Sequence, residues 1–282
     1  LGFTGDRAKS FKLANPMSED FPLLRTHLLP GLLTTLSRNI NRGAKNVALF
    51  EIGSVFRNIS PLGKVSLPTI ERKPSQKMID SIYASVPNQL LFIAGVSCGE
   101  KYLSNWQGDG NKFEWSDAVY QASEIIAATG NKYEIASTDL APWHPGRCAE
   151  FKVAGKVVAH AGELHPRVIT KLNLPSRTCA FAVILSELPE AKLSAAPKIW
   201  NMPAAVQDIA LVVSKNVSAS DVEESLKIGA GELLESIDLF DRYDQLGDEK
   251  VSLAFTLTFR AADRTLTAEE VSLYRDEAVK QA

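Results

Sequence analysis

Residues 250–260 read KVSLAFTLTFR, and they alternate without a break. Val251, Leu253, Phe255, Leu257 and Phe259 fall on one side of an extended chain, and Ser252, Ala254, Thr256, Thr258 and Arg260 on the other. That is a strand with one buried and one open face. Upstream, ESIDLFDRYDQ (235–245) is a second strand, joined to the first through Leu246, Gly247 and Asp248. VQDIALVVS, from Val206, is a third, with Ile209, Leu211 and Val213 on one face. Two helices complete the pattern. SASDVEESLKIGA places Ser220 and Glu223 at capping-box spacing, and TAEEVSLYRDEAVK does the same with Thr267 and Glu270. In the second helix Val271, Tyr274 and Ala278 form the apolar stripe. The order β-α-β-β-α over 206–282 predicts a ferredoxin-like α+β sheet one strand short of four, either cut away or closed with three.

An open sheet face is by default solvated. In sheets of this type it also serves as a platform for single-stranded RNA. The face lacks the aromatics expected of a base-stacking platform, so recognition would rest on hydrogen bonds from Ser252 and Thr256, with Arg242, Lys250, Arg260 and Arg264 near phosphates.

Pro189, Pro197 and Pro203 break both helix and strand patterns between Ser186 and Val206, which sets a linker at 191–205. Before it, residues 1–190 form a mixed α and β region. LPGLLTTLSRNI sets Pro30 at a helix start and Leu32, Leu33, Leu36 and Ile40 on one stripe. NVALFEIGSVFR is a strand, and LLFIAGVSCG is a buried one because it is apolar without alternation. SDAVYQASEIIAATG is an amphipathic helix with Ser116 as N-cap and Gly130 as stop.

The chain has 282 residues, 45% hydrophobic and 23% charged, with 31 Lys and Arg against 33 Asp and Glu. At a net charge of -2 it has no general basic coat, so any nucleic-acid contact is a local patch. Cys98, Cys148 and Cys179 stand apart, as reduced thiols of a cytoplasmic protein do. No apolar run reaches the roughly 18 residues of a membrane span, and the start lacks the apolar core of a signal peptide. It also lacks an initiating Met and reads as the middle of a longer chain.

WHPGRCAEFKVAGKVVAHAGELHP (143–166) holds three of the four histidines, a cysteine and two glutamates. A metal-assisted hydrolase would use His144, His160 and His165 with Glu163. The pattern favours a hairpin. Ala149, Phe151 and Val153 alternate with Glu150 and Lys152, Ala154-Gly155 turns, and KVVAHA returns. His144 and His165 then fall outside the two strands, and a metal site needs its ligands to converge.

NPMSEDFPLLRTHLLPGLL, LFEIGSVFR, WHPGRCAEF, GELHP and IDLFDRYDQ followed by RTLTAEEV stand in the order of the bacterial phenylalanyl-tRNA synthetase beta chain family, which this chain resembles over nearly its whole length. The resemblance implies a C-terminal portion of such a chain, a degenerate class II synthetase-like antiparallel sheet domain followed by a ferredoxin-fold anticodon-binding domain, with editing and magnesium-associated parts lying upstream. It implies an alpha-subunit partner in an alpha-two, beta-two assembly, tRNA(Phe) as the RNA, ATP and magnesium as the cofactors of the assembled enzyme, none in this portion, and neither DNA nor membrane contact. LLRTH and GSVFR look like the motif 2 region, leaving Gly53 and Arg57 as its remnant. NISPLGKVSLPTIERKP, which follows, lacks the acidic residue, His and Phe that complete the motif. CAFAVILSEL (179–188), at the place of motif 3, offers neither glycine nor arginine, and Glu187 would repel phosphates. One cation cannot hold ATP, so no catalytic residue is expected, and His27 is expected to be a buried hydrogen-bonding group. A general RNA-binding module is the other alternative. Gln207 stands where the family carries arginine in P-x-x-x-R-D, which predicts a weakened phosphate contact.

Overall fold

The computed structural model describes residues 1–57, 68–191, 196, 199–247 and 249–282. Asp248, most of NISPLGKVSLPTIERKP and part of the proline-rich connection lie outside them. The chain divides into two compact units, Leu1–Ser194 and Ala195–Ala282.

In the first unit the elements run α1 (Leu29–Asn41), β1 (Val47–Arg57), α2 (Gln76–Ala84), β2 (Asn88–Cys98), β3 (Glu100–Tyr102), β4 (Asn111–Lys112), α3 (Trp115–Ala127), β5 (Glu134–Ser137), β6 (Trp143–Val153), β7 (Lys156–Leu164), α4 (Pro166–Lys171) and β8 (Cys179–Ile184). Six strands form an antiparallel sheet in the order β1-β2-β8-β7-β6-β5, and β3 and β4 form a separate ribbon.

Helices cover both faces of this sheet, which explains its apolar central strands. On one face Leu29, Leu32, Leu33 and Leu36 of α1 pack on Phe92, Ala94, Val96, Ala180 and Ala182. On the other, Ala118, Ala122 and Ile126 of α3 pack on Phe151, Ala159, Cys179, Phe181 and Val183. Strand β8 is therefore lined by protein on both sides. The hairpin turns at Ala154-Gly155, both with positive φ.

Two expectations for this unit need correction. The N-cap of α3 is Glu114, not Ser116: Asp117 accepts the Glu114 N–H at 2.9 Å, so the acidic pair starts the helix two residues earlier. His144 lies inside β6, because the strand extends back to Trp143 across an irregularity before Cys148. The helix α2, capped by Ser75, was not anticipated.

The second unit comprises β9 (Ala205–Ser214), α5 (Ala219–Ala230), β10 (Leu234–Tyr243), β11 (Lys250–Phe259) and α6 (Ala268–Gln281). Its antiparallel sheet has the order β10-β11-β9. The five inward residues of β11, Val251 to Phe259, are buried beneath Val222, Leu226, Val271 and Ala278 of the two helices. The Thr267–Glu270 box forms as read. The Ser220–Glu223 box does not. Ser218 caps α5 instead, accepting from the Asp221 N–H at 3.1 Å, one of two serines in SAS that could have served.

Candidate nucleic-acid interface and the motif 2 remnant

Strand pairing decides which side chains share the open face of the second unit. Thr256 stands opposite Asp208 on β9 and Asp238 on β10, Ala254 opposite Ala210 and Asp241, and Ser252 opposite Val212 and Tyr243. Lys250 faces Ser214 at the end of the sheet. Facing partners in an antiparallel pair project to the same side, so Asp208, Asp238, Asp241 and Tyr243 join Ser252 and Thr256 on the open face. Thr256 Oγ1 donates to Asp208 Oδ1 at 2.7 Å.

Strand β10 slips its register between Leu239 and Asp241. Phe240, the extra residue, is 59% exposed, and Tyr243 beyond it is 47% exposed. Aromatic surface is therefore present on this side of the sheet, contrary to expectation. Simple alternation along DLFDRYD misplaces every side chain after a bulge, which is why the sequence hid Tyr243.

The expected cations are not gathered on the face. Arg242 stands opposite Leu253, on the helix side, and closes on Asp244 through Nε and Nη2 at 2.9–3.2 Å. Arg260 donates to Glu235 at 2.6 Å and to the Met202 carbonyl at 2.5 Å. Arg264 donates to Glu270 at 2.8 Å, within the cap of α6. Of the six named residues, Ser252 and Thr256 lie mid-face and Lys250 at its end, where it makes no ion pair among the described residues. Gln207 stands opposite Leu257, on the helix side, and accepts from Arg275 Nη1 at 3.3 Å. Among the described residues the open face carries carboxylates in its middle and an unpaired cation, Lys250, at its end.

In the first unit the motif 2 remnant is turned inward. Arg57 is 7% exposed. Its Nε donates to the Thr26 carbonyl at 3.1 Å, Nη1 lies 3.6 Å from Asp6, and the guanidinium lies over the Phe92 ring at 4.8 Å. Burial, ahead of the attraction of Asp6, pulls its pKa down. Gly53 leaves the space that the Arg25 guanidinium fills on its way to Glu51 and the Ser54 carbonyl. A side chain at position 53 would displace that ion pair. His27 is buried; its Nδ1 accepts the Leu29 N–H at 3.1 Å, and burial first, then Arg57, lowers its pKa to about 3. It is a neutral brace for the start of α1.

The histidines of 143–166 have separate tasks. His160 stacks on Trp143 at 5.4 Å and faces Glu150, with burial as the main cause of a pKa near 4. His165 caps α4, accepting from the Arg167 N–H at 3.1 Å. His144 lies 6.3 Å from His165, ring to ring. Glu163 is buried against Arg147, whose Nη2 donates to it at 3.2 Å while Nε lies 2.8 Å away at ion-pair distance rather than in hydrogen-bonding geometry. Among the described residues no three His, Cys, Asp or Glu are placed to share a metal ion. Glu187, expected to repel phosphates, is paired with Lys156.

Comparison with known proteins matches the description "Phenylalanyl tRNA synthetase beta chain CLM domain" to residues 2–185 and "Ferredoxin-fold anticodon binding domain" to residues 201–282. A large antiparallel sheet domain followed by an anticodon-binding module defines an aminoacyl-tRNA synthetase chain. The chain belongs to the phenylalanyl-tRNA synthetase beta chain family. It is 44% identical to the phenylalanine–tRNA ligase beta subunit of Cutibacterium acnes over its full length. It is 47% identical to that of Streptomyces avermitilis over 96% of its length. It spans about a third of each of these proteins, 34% in both cases.

Proposed function

We propose that the second unit binds the anticodon arm of tRNA(Phe) through its open sheet face, and that the first unit is a non-catalytic support for the alpha subunit during ATP-dependent aminoacylation in the cytoplasm. The observation that carries the reading is the composition of the open face: an exposed tyrosine beside a row of carboxylates and hydroxyls. Carboxylates repel phosphate but accept hydrogen bonds from base amines. A phenylalanine anticodon reads codons that begin with two uridines and end in a pyrimidine, so all its bases are purines that bear an amine or amide donor. Tyr243 offers a ring for stacking, Asp238, Asp241, Ser252 and Thr256 offer base-edge contacts, and Lys250 sits at the end, where backbone phosphate would leave. Arg242, Arg260 and Arg264 serve at the rim only if they exchange a carboxylate for a phosphate.

The first unit does not fit ATP. Arg57 is spent on Thr26, Asp6 and Phe92, and β8 is closed by packing on both faces. ATP and magnesium therefore belong to the alpha subunit's site in this reading. A general RNA-binding module would carry a cationic face, which this sheet does not.

The test is tRNA binding by the assembled alpha and full-length beta chains carrying Tyr243→Ala. Stacking on one aromatic contributes about 1–3 kcal/mol, so affinity for tRNA(Phe) should fall roughly 5- to 150-fold while other tRNAs change little. Unchanged affinity in both Tyr243→Ala and Asp241→Asn would refute the open face as the contact.

A further inference from the structure

Two long stretches of the first unit contain no Asp or Glu: residues 21–50 and residues 164–186. The fold brings them together. Helix α1 belongs to the first and α4 to the second, and two adjoining clefts of about 660 and 440 Å³ run between them, sharing Thr34 and Leu172 in their walls. Arg38 and Arg42 line the smaller cleft from α1, and Arg167 and Lys171 line the larger from α4. All four are exposed and make no ion pair among the described residues. The other arginines of the two stretches differ: Arg25 is paired with Glu51, and Arg177 lies 3.7 Å from Glu114. Among the described residues Asp139, in the larger cleft, is the one carboxylate in either wall.

The exposed side of α1 adds neutral hydrogen-bonding groups. Thr34, Ser37, Arg38, Asn41 and Arg42 follow the spacing of a single helix face, opposite Leu32 and Leu36. Helix dipoles account for Arg38, Arg42 and Lys171, which sit near C-terminal ends. They do not account for Arg167, which occupies the first turn of α4, where a cation is unfavourable. Unpaired cations along two adjoining clefts, from α1 on one side and α4 on the other, on a chain of net charge -2, call for a polyanion.

We infer that the groove between α1 and α4 holds a run of RNA phosphate backbone, a contact separate from the open sheet face. The groove takes phosphates and not bases: its cations lie on exposed helix surface, and of the two aromatic rings in the wall of the larger cleft Trp143 is buried and His165 caps α4. The inference rests on the tRNA-binding reading for the identity of the RNA.

The experiment compares the assembled alpha and full-length beta chains, wild type and R38Q/R42Q/R167Q/K171Q, for tRNA(Phe) binding between about 50 and 200 mM salt. Each lost phosphate contact removes about 0.7–0.9 from the slope of log affinity against log salt. The quadruple variant should therefore lose roughly 3 from the slope and at least about tenfold in affinity at the lower salt. R38K/R42K/R167K, which keeps the charges, should stay close to wild type. An unchanged slope in the quadruple variant, with wild-type binding intact, overturns the inference, as does loss of the alpha subunit with no loss of RNA, which would make the groove a protein interface. Tyr243→Ala separates the two readings, since it should lower affinity without altering the slope. A slope change in the quadruple variant with no effect of Tyr243→Ala would keep the groove and remove the anticodon contact.

Discussion

A single residue can be present for a chemical reason that its sequence neighbours misreport. Arg57 has the company of a nucleotide-binding arginine, yet its guanidinium holds the Thr26 carbonyl and stacks on Phe92. His27 stands in LLRTH and is a neutral acceptor for the Leu29 N–H. The direction of its titration follows from burial. Its folded pKa, near 3, lies below the ordinary value of about 6.5, so the unfolded chain takes up a proton before the folded chain does. Stability is fully present above about pH 6.5 and is lost as pH falls, at roughly 1.4 kcal/mol per pH unit for each such histidine. His160, near 4, acts in the same sense. Thermal unfolding measured from pH 6.5 down to 5, above the range where most carboxylates titrate, should show this slope, and His27→Gln should flatten it by about half. An identical slope in the variant would show that His27 does not stay neutral in the fold.

At the scale of elements, local signals were readable where one residue had no competitor. Thr267 and Glu270 are the one box that fits the start of α6, and they form it. At α5 and α3 several serines and acids compete within a few residues, and the tertiary path of the incoming chain chose Ser218 and Glu114. Helix packing was not readable at all. Gly229 of α5 lies so close to α6 that a Cβ there would meet the Ala278 Cα at 2.6 Å and the Glu277 carbonyl oxygen at 2.7 Å. An isolated helix would gain about 1 kcal/mol from Gly229→Ala, whereas overpacking costs about 1–3 kcal/mol. The contact with backbone decides the sign. Gly229→Ala should destabilise the second unit in denaturant unfolding, and a gain in stability would mean that the helices can separate freely.

For the whole molecule, the decisive contrast lies between a sheet packed on both faces and a sheet packed on one. The first unit has α1 and α3 on opposite sides of its strands, which leaves β8 no face for a nucleotide. The second leaves one face open. Residues 1–282 alone should support no ATP–pyrophosphate exchange with phenylalanine, and Arg57→Met should lower stability by about 2 kcal/mol, in the range for a buried hydrogen-bonded charge. Exchange activity abolished by Arg57→Met would reverse the assignment of this unit.

What the sequence determined by itself is the part governed by short-range periodicity: the two-faced β11, the hairpin of β6 and β7, the leucine stripe of α1 and the β-α-β-β-α order. Alternation and helical spacing follow from backbone geometry and need no knowledge of neighbours. What only the tertiary structure decided is which charges find partners. Arg242 turned to the helix side because a bulge reset the register of β10, Tyr243 came to the open face for the same reason, and Arg38 and Arg167, far apart in the chain, came to line adjoining clefts. Pairing is a property of distance in space, and distance in space is set by packing that no window of sequence contains.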